Sequence, residues 1–74
     1  MVNTHEITLS ESDYNMLNQG SYLILNASDV EVKDYVLFYK DGDDSANIMT
    51  RINQIIQHNG FKDGYALYIF TRLG

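Results

Sequence analysis

The sequence predicts an α+β chain that is mostly β: a compact antiparallel pseudo-barrel of about five strands with one short helix near the N-terminus, about residues 10–19. Three observations lead there. Tyr35 to Tyr39 is an unbroken apolar and aromatic run between Asp34 and Lys40, the pattern of a short strand buried on both faces. Thr4–Leu9 and Tyr65–Leu73 alternate in polarity, as strands with one buried side do. Between the first two of these segments, Ser10-Glu11-Ser12-Asp13 opens a helix that Gly20 closes.

In chain order, His5, Ile7 and Leu9 share the buried face of the first strand. Ser10 caps the helix, and Asp13 occupies the position from which a carboxylate reaches back to the cap. Leu9 and Tyr14 are spaced as a hydrophobic staple, and Tyr14, Leu17 and Met16 form the apolar stripe. Gly20 is expected to end the helix in the left-handed conformation. Tyr22–Leu25 is a second strand and 26–29 a loop. Lys33-Asp34 makes a tight turn into the central strand. An acidic loop, Asp41 to Asp44, then leads to a long segment, Asn47 to Gln57. That segment fits both strand and helix spacing, and its four Ile tip it to strand. Asn59-Gly60 and Asp63-Gly64 are turn dipeptides before the last strand. Five strands without any proline suggest a small barrel that closes its own edges.

Composition narrows the function classes. Seventy-four residues make one domain, with surface enough for a small core but not for a core and a deep enzyme cleft. With no cysteine, disulfides, thiolate metal sites and cysteine nucleophiles are excluded, and a reducing compartment such as the cytoplasm is expected. No signal-like or membrane-length apolar run is present. A net charge of −5 argues against a broad nucleic-acid platform, which needs clustered Lys and Arg, but leaves room for a focal contact through one or two arginines. Asn26-Ala27-Ser28 matches a glycosylation pattern, read as chance in a chain without a secretion signal.

Three stretches together carry a resemblance. They are His5-Glu6-Ile7-Thr8-Leu9 with its following helix and Gly20; Val32-Lys33-Asp34-Tyr35-Val36-Leu37-Phe38; and Thr50-Arg51-Ile52 followed by Gly60 to Ile69. This order resembles the small ASCH-related, PUA-like domains, among them a family of unknown function common in phages and prophages. The resemblance implies a PUA-like pseudo-barrel, and RNA or a modified base as ligand. His5, Asp29, Asp34, Arg51, Gly64 and Tyr65 match the family's pattern. The family's Lys after the helix glycine, its Glu-x-Arg and its Asn-Asp-Arg are missing, and Lys33 stands where glycine is usual.

The candidate ligand contacts are His5, Tyr22, Asn26, Arg51, Tyr68 and Arg72. Arg51, Tyr68, Phe70 and Arg72 on neighbouring strands would make a stacking and phosphate-binding face; the plainer reading is a set of cross-strand aromatic–Arg pairs. A lone His on an apolar strand face reads first as structural and second as a ligand contact. Asp41–Ser45 resembles half a calcium loop, but Ala46 and Ile52 stand where an EF-hand needs Gly and Glu. No nucleophile elbow, phosphate loop or dinucleotide motif is present. The expectation is a non-enzymatic binding module without cofactor or metal, for single-stranded RNA or a nucleotide. The alternative is a small acidic phage-type protein that binds and modulates a host protein. An inactive remnant of a hydrolase-like relative ranks last.

Overall fold

The structure, a computed structural model, describes residues 2–27 and 29–73. Strands β1 (Thr4–Leu9), β2 (Tyr22–Leu25), β3 (Tyr35–Lys40), β4 (Asp43–Ile56) and β5 (Ala66–Arg72) form one sheet in the order β1-β3-β4-β5-β2, and helix α1 spans Glu11–Gln19. The chain is mostly strand, and the sheet curls into a half-barrel. Three of the pairings are antiparallel; β1 and β3 run parallel, Thr4 beside Tyr35 and Leu9 beside Lys40. The expected closed edges are not found: β1 and β2 lie at opposite margins of the sheet.

The core follows from residue type and alternation. Val36 and Phe38 of β3, Ile52 of β4, and Ala66, Tyr68 and Phe70 of β5 turn inward with Leu23 of β2 and Leu9 of β1. The Phe38 and Phe70 rings meet at 6.0 Å, tilted by 49°, an arrangement aromatic quadrupoles favour. Helix α1 covers this concave face with Tyr14 and Leu17. Met16 does not belong to that stripe; it is 55% exposed. Ser10 caps α1 as expected, its hydroxyl accepting from the Asp13 amide at 3.3 Å. Gly20 closes the helix in extended rather than left-handed backbone (φ −137°), its N–H donating to the Met16 carbonyl. The last turn of α1 has no basic residue of its own.

Two segments depart from the sequence reading. The acidic loop shrinks to the turn Asp41-Gly42, with Gly42 at φ +82°, and Asp43 and Asp44 already belong to β4. Within β4 a bulge between Ile52 and Gln54 inserts one residue against β5. An inserted residue reverses the side-chain alternation beyond it. Ile55 therefore joins the core beside Tyr68 and Ile56 does not, although simple alternation groups Ile56 with Ile48 and Ile52. Ser28, the third residue of the glycosylation-like pattern, lies outside the described residues. Among the described residues no helix is long and apolar enough to cross a membrane.

The turn into β3 runs from Glu31 to Asp34, closed by the Asp34 N–H donating to the Glu31 carbonyl at 3.1 Å. Lys33 holds φ +79° there, a left-handed conformation that costs a side-chain-bearing residue roughly 1–2 kcal/mol. Its N–H donates to the Ile52 carbonyl, a bond glycine would keep. Lys33→Gly removes the strain but adds about 0.4–1 kcal/mol of unfolded-state entropy. We expect the variant to gain about 0.5–1 kcal/mol, a rise in Tm of a few degrees by differential scanning calorimetry. An unchanged or lower Tm would show that Lys33 is relaxed in this turn.

Candidate binding cleft

The site is built around a carboxylate that the interior should reject. Asp34 is 2% exposed, and an unpaired charge there would be very costly. It is instead satisfied by three donors. Its Oδ2 accepts from His5 Nε2 at 2.8 Å and from the Glu31 amide at 3.0 Å, and its Oδ1 from the Asn3 amide at 3.2 Å. The backbone of Asp34 reaches a third segment, accepting at 2.8 Å from the Ile52 amide of β4. One residue thus joins the N-terminal strand, the loop before β3 and the centre of the sheet. No buried side-chain polar atom lacks a partner among the described residues.

This clamp fixes the chemistry of His5. An ionised carboxylate only accepts, so Nε2 carries the proton and Nδ1 is left as the ring's other polar atom. Among the described residues Nδ1 has no hydrogen-bond partner, and the side chain is 20% exposed. His5 lines a cleft of about 330 Å³ between β1 and the loop that follows β2, with Ile7, Leu25, Asn26, Ala27, Asp29 and Val30 around it. Glu6 also contributes to the lining. Tyr68 steadies the loop from below, its buried hydroxyl donating to the Ala27 carbonyl at 2.7 Å. Gly64 holds the other side. It sits at φ +83° with the Asn26 carboxamide 3.2 Å from where a Cβ would stand, so the Asn26 side chain packs directly over its backbone.

The six candidate residues separate into four places. His5 and Asn26 meet in the cleft. Tyr22 and Arg51 lie on the convex face of the sheet, away from it. Arg51 stands between Tyr35 and Thr71 in the register, and Tyr22 is 57% exposed on β2. The stacking face does not assemble: Tyr68 and Phe70 are core residues on the opposite side of the sheet from Arg51. Arg72 is occupied by the end of α1, its Nη1 donating to the carbonyls of Asn18 at 2.5 Å and Leu17 at 3.4 Å. There it supplies the positive charge that a helix C-terminus favours and that α1 itself lacks. Asp29 and Val30 are the lining residues that alternation could not place, since they enter the cleft through a loop; Ile7, by contrast, shares the face of His5 two residues away. Among the described residues, no three His, Asp or Glu side chains gather into a metal-binding group. Searches against protein-family models and curated proteins return no match to this chain.

The clamp makes stability depend on pH. Its hydrogen bond to His5, then those from the Glu31 and Asn3 amides, hold the Asp34 carboxyl below the ordinary carboxylate value. A carboxyl more acidic in the folded than in the unfolded chain contributes stability above the unfolded value of about 3.9. That contribution disappears as pH falls through the lower folded value. Asp34→Asn lacks this titration. The stability gap between the natural protein and the variant, read from urea midpoints, is expected to be largest above about pH 5 and to narrow steadily as the pH falls below the ordinary carboxylate value of about 3.9. A gap that stays constant over that range would contradict the clamp.

Proposed function

We propose that this protein is a small non-enzymatic binding module whose ligand site is the His5–Asn26 cleft, and that it takes a nucleobase or nucleoside by its hydrogen-bonding edge rather than by phosphate. The observation that supports this best is the clamped imidazole opening on a cleft lined by Asp29 and, among the described residues, by no Lys or Arg. Apolar walls from Ile7, Leu25 and Val30 suit the faces of a flat ligand, and His5, Asn26 and Asp29 offer acceptors and a carboxamide to its N–H and C=O groups. A phosphate placed beside Asp29 would meet repulsion and, among the described lining residues, no Lys or Arg. The volume lies at the small end of ligand pockets, suited to one base or nucleoside and not to a length of strand. The resemblance to PUA-like domains points to the same ligand class. Arg51, on the far face, is not part of this reading.

A second reading is favoured by the convex face. There the Tyr39 hydroxyl donates to Glu6 at 3.1 Å with Asp44 close by. The Glu6 hydrogen bond, burial and the two carboxylates push the Tyr39 phenol up from its ordinary value. Such a surface suits a basic patch on a host protein.

One labelled sample tests both. Amide and imidazole NMR shifts are followed while free nucleosides, the matching nucleotides and a basic peptide are added separately at low and physiological salt. The cleft reading expects nucleosides to shift His5, Asn26 and Asp29, to bind at least as tightly as nucleotides, and to depend little on salt; Asn26→Ala should weaken the shifts about tenfold or more in affinity. Shifts confined to Glu6, Tyr39 and Asp44, with the basic peptide alone and lost at higher salt, would favour the docking surface instead. No nucleoside response at the cleft overturns the first reading.

A further inference from the structure

The two margins of the sheet differ in kind. β1 is blunted by a charge, Glu6, as natural edge strands commonly are. β2 has no such guard. Residues 14–28 carry no Asp, Glu, Lys or Arg, although the chain holds ten acidic and five basic residues. That stretch covers the end of α1 and the whole of β2.

The backbone at this margin is open. The Phe70 N–H donates to the Ser21 carbonyl at 2.9 Å, and these two residues stand directly opposite in the β2–β5 register. Hydrogen-bonded and non-hydrogen-bonded pairs alternate along an antiparallel ladder. Leu23 and Leu25 therefore also turn their backbone groups toward β5, while Tyr22 and Ile24 turn theirs outward. Among the described residues those outward groups have no partner. The side chains of Tyr22 and Ile24 are 57% and 48% exposed and lie beside Ile69 and Leu67 on the convex face. Met16, also exposed, faces the same margin across a shallow depression shared with Tyr22.

We propose that β2 pairs with β2 of a second copy of this chain, antiparallel about a two-fold axis at Leu23. In that register Tyr22 of each copy stands opposite Ile24 of the other. The outward N–H and C=O of both residues are all used, making four hydrogen bonds across the axis. Aromatic and β-branched side chains opposite one another are a favourable cross-strand pair. Electrostatics selects the occupant. Two copies that each carry −5 meet with least repulsion along a margin that has no charge, whereas an extended basic peptide finds no carboxylate on β2 to attract it. A four-residue margin places the dimer at the small, weak end of specific interfaces.

Sedimentation velocity over roughly 10 μM to 1 mM tests this, a range suited to a weak interface. Hydrogen exchange of the Tyr22 and Ile24 amides is measured at both ends of it. Expected are a concentration-dependent dimer, protection of those two amides that rises with concentration, and a monomer at every concentration for Ile24→Lys with an unchanged circular dichroism spectrum. A natural protein that stays monomeric to 1 mM overturns the proposal. So does a dimer in which Tyr22 and Ile24 gain no protection, a readout that does not depend on the variant folding.

Discussion

The fold depends on a buried carboxylate at a chain crossing. Asp34 sits where the loop from β2 turns into the central strand, and its three hydrogen bonds tie that turn to the segment around Asn3 and His5. Parallel pairing of β1 with β3 needs such a fixing point, because no hairpin can set its register. The Asn3 carbonyl accepts from the Tyr35 amide at the same place, so side chain and backbone agree on the alignment. Removing the carboxylate would take the acceptor from two amides and the imidazole at a part-buried site, and a donor left unsatisfied there costs more than the net worth of the bond it made.

The same residue turns a structural requirement into a chemical feature. A histidine on the inner face of a strand usually buries its ring and satisfies its N–H. Here the N–H is satisfied by Asp34, the ring is held still, and its second nitrogen borders a cleft. Tyr68 and Gly64 perform the matching task on the opposite wall, one bonding the Ala27 carbonyl and the other leaving room for Asn26. Fixed polar groups between apolar walls are what a small-ligand site requires. The Asp29 carboxylate, with no Lys or Arg among the described lining residues, then weighs against a phosphate.

Local patterns in the sequence carried most of the elements. Ser10 and the run from Tyr35 to Tyr39 specify the helix start and the buried strand through neighbours only, and the turn at Asp63-Gly64 follows from a glycine that must take positive φ. What was hidden depends on contacts distant in sequence. The bulge near Asn53 shifts Ile55 inward because of the register with β5, which no spacing within β4 reveals. Arg72 looked like a free cation until α1 was placed beneath it. Asp34 read as a turn residue, and turn carboxylates are ordinarily solvated; only the approach of Asn3 and His5 makes burial tolerable. His5 and Asn26 were found among the candidates, but their convergence without Arg51 follows from the two faces of the curled sheet.

The most direct test of this account is the tautomer of His5. Long-range proton–nitrogen NMR of the two imidazoles, at alkaline pH where free imidazole is neutral, reports which ring nitrogen carries the proton. The clamp predicts that His5 is held as the Nε2–H form, with that proton exchanging slowly and a nuclear Overhauser contact to the Asn3 or Glu31 amide. A His5 ring protonated at Nδ1, or one averaging between forms like a solvated imidazole, would contradict the clamp and the cleft built on it.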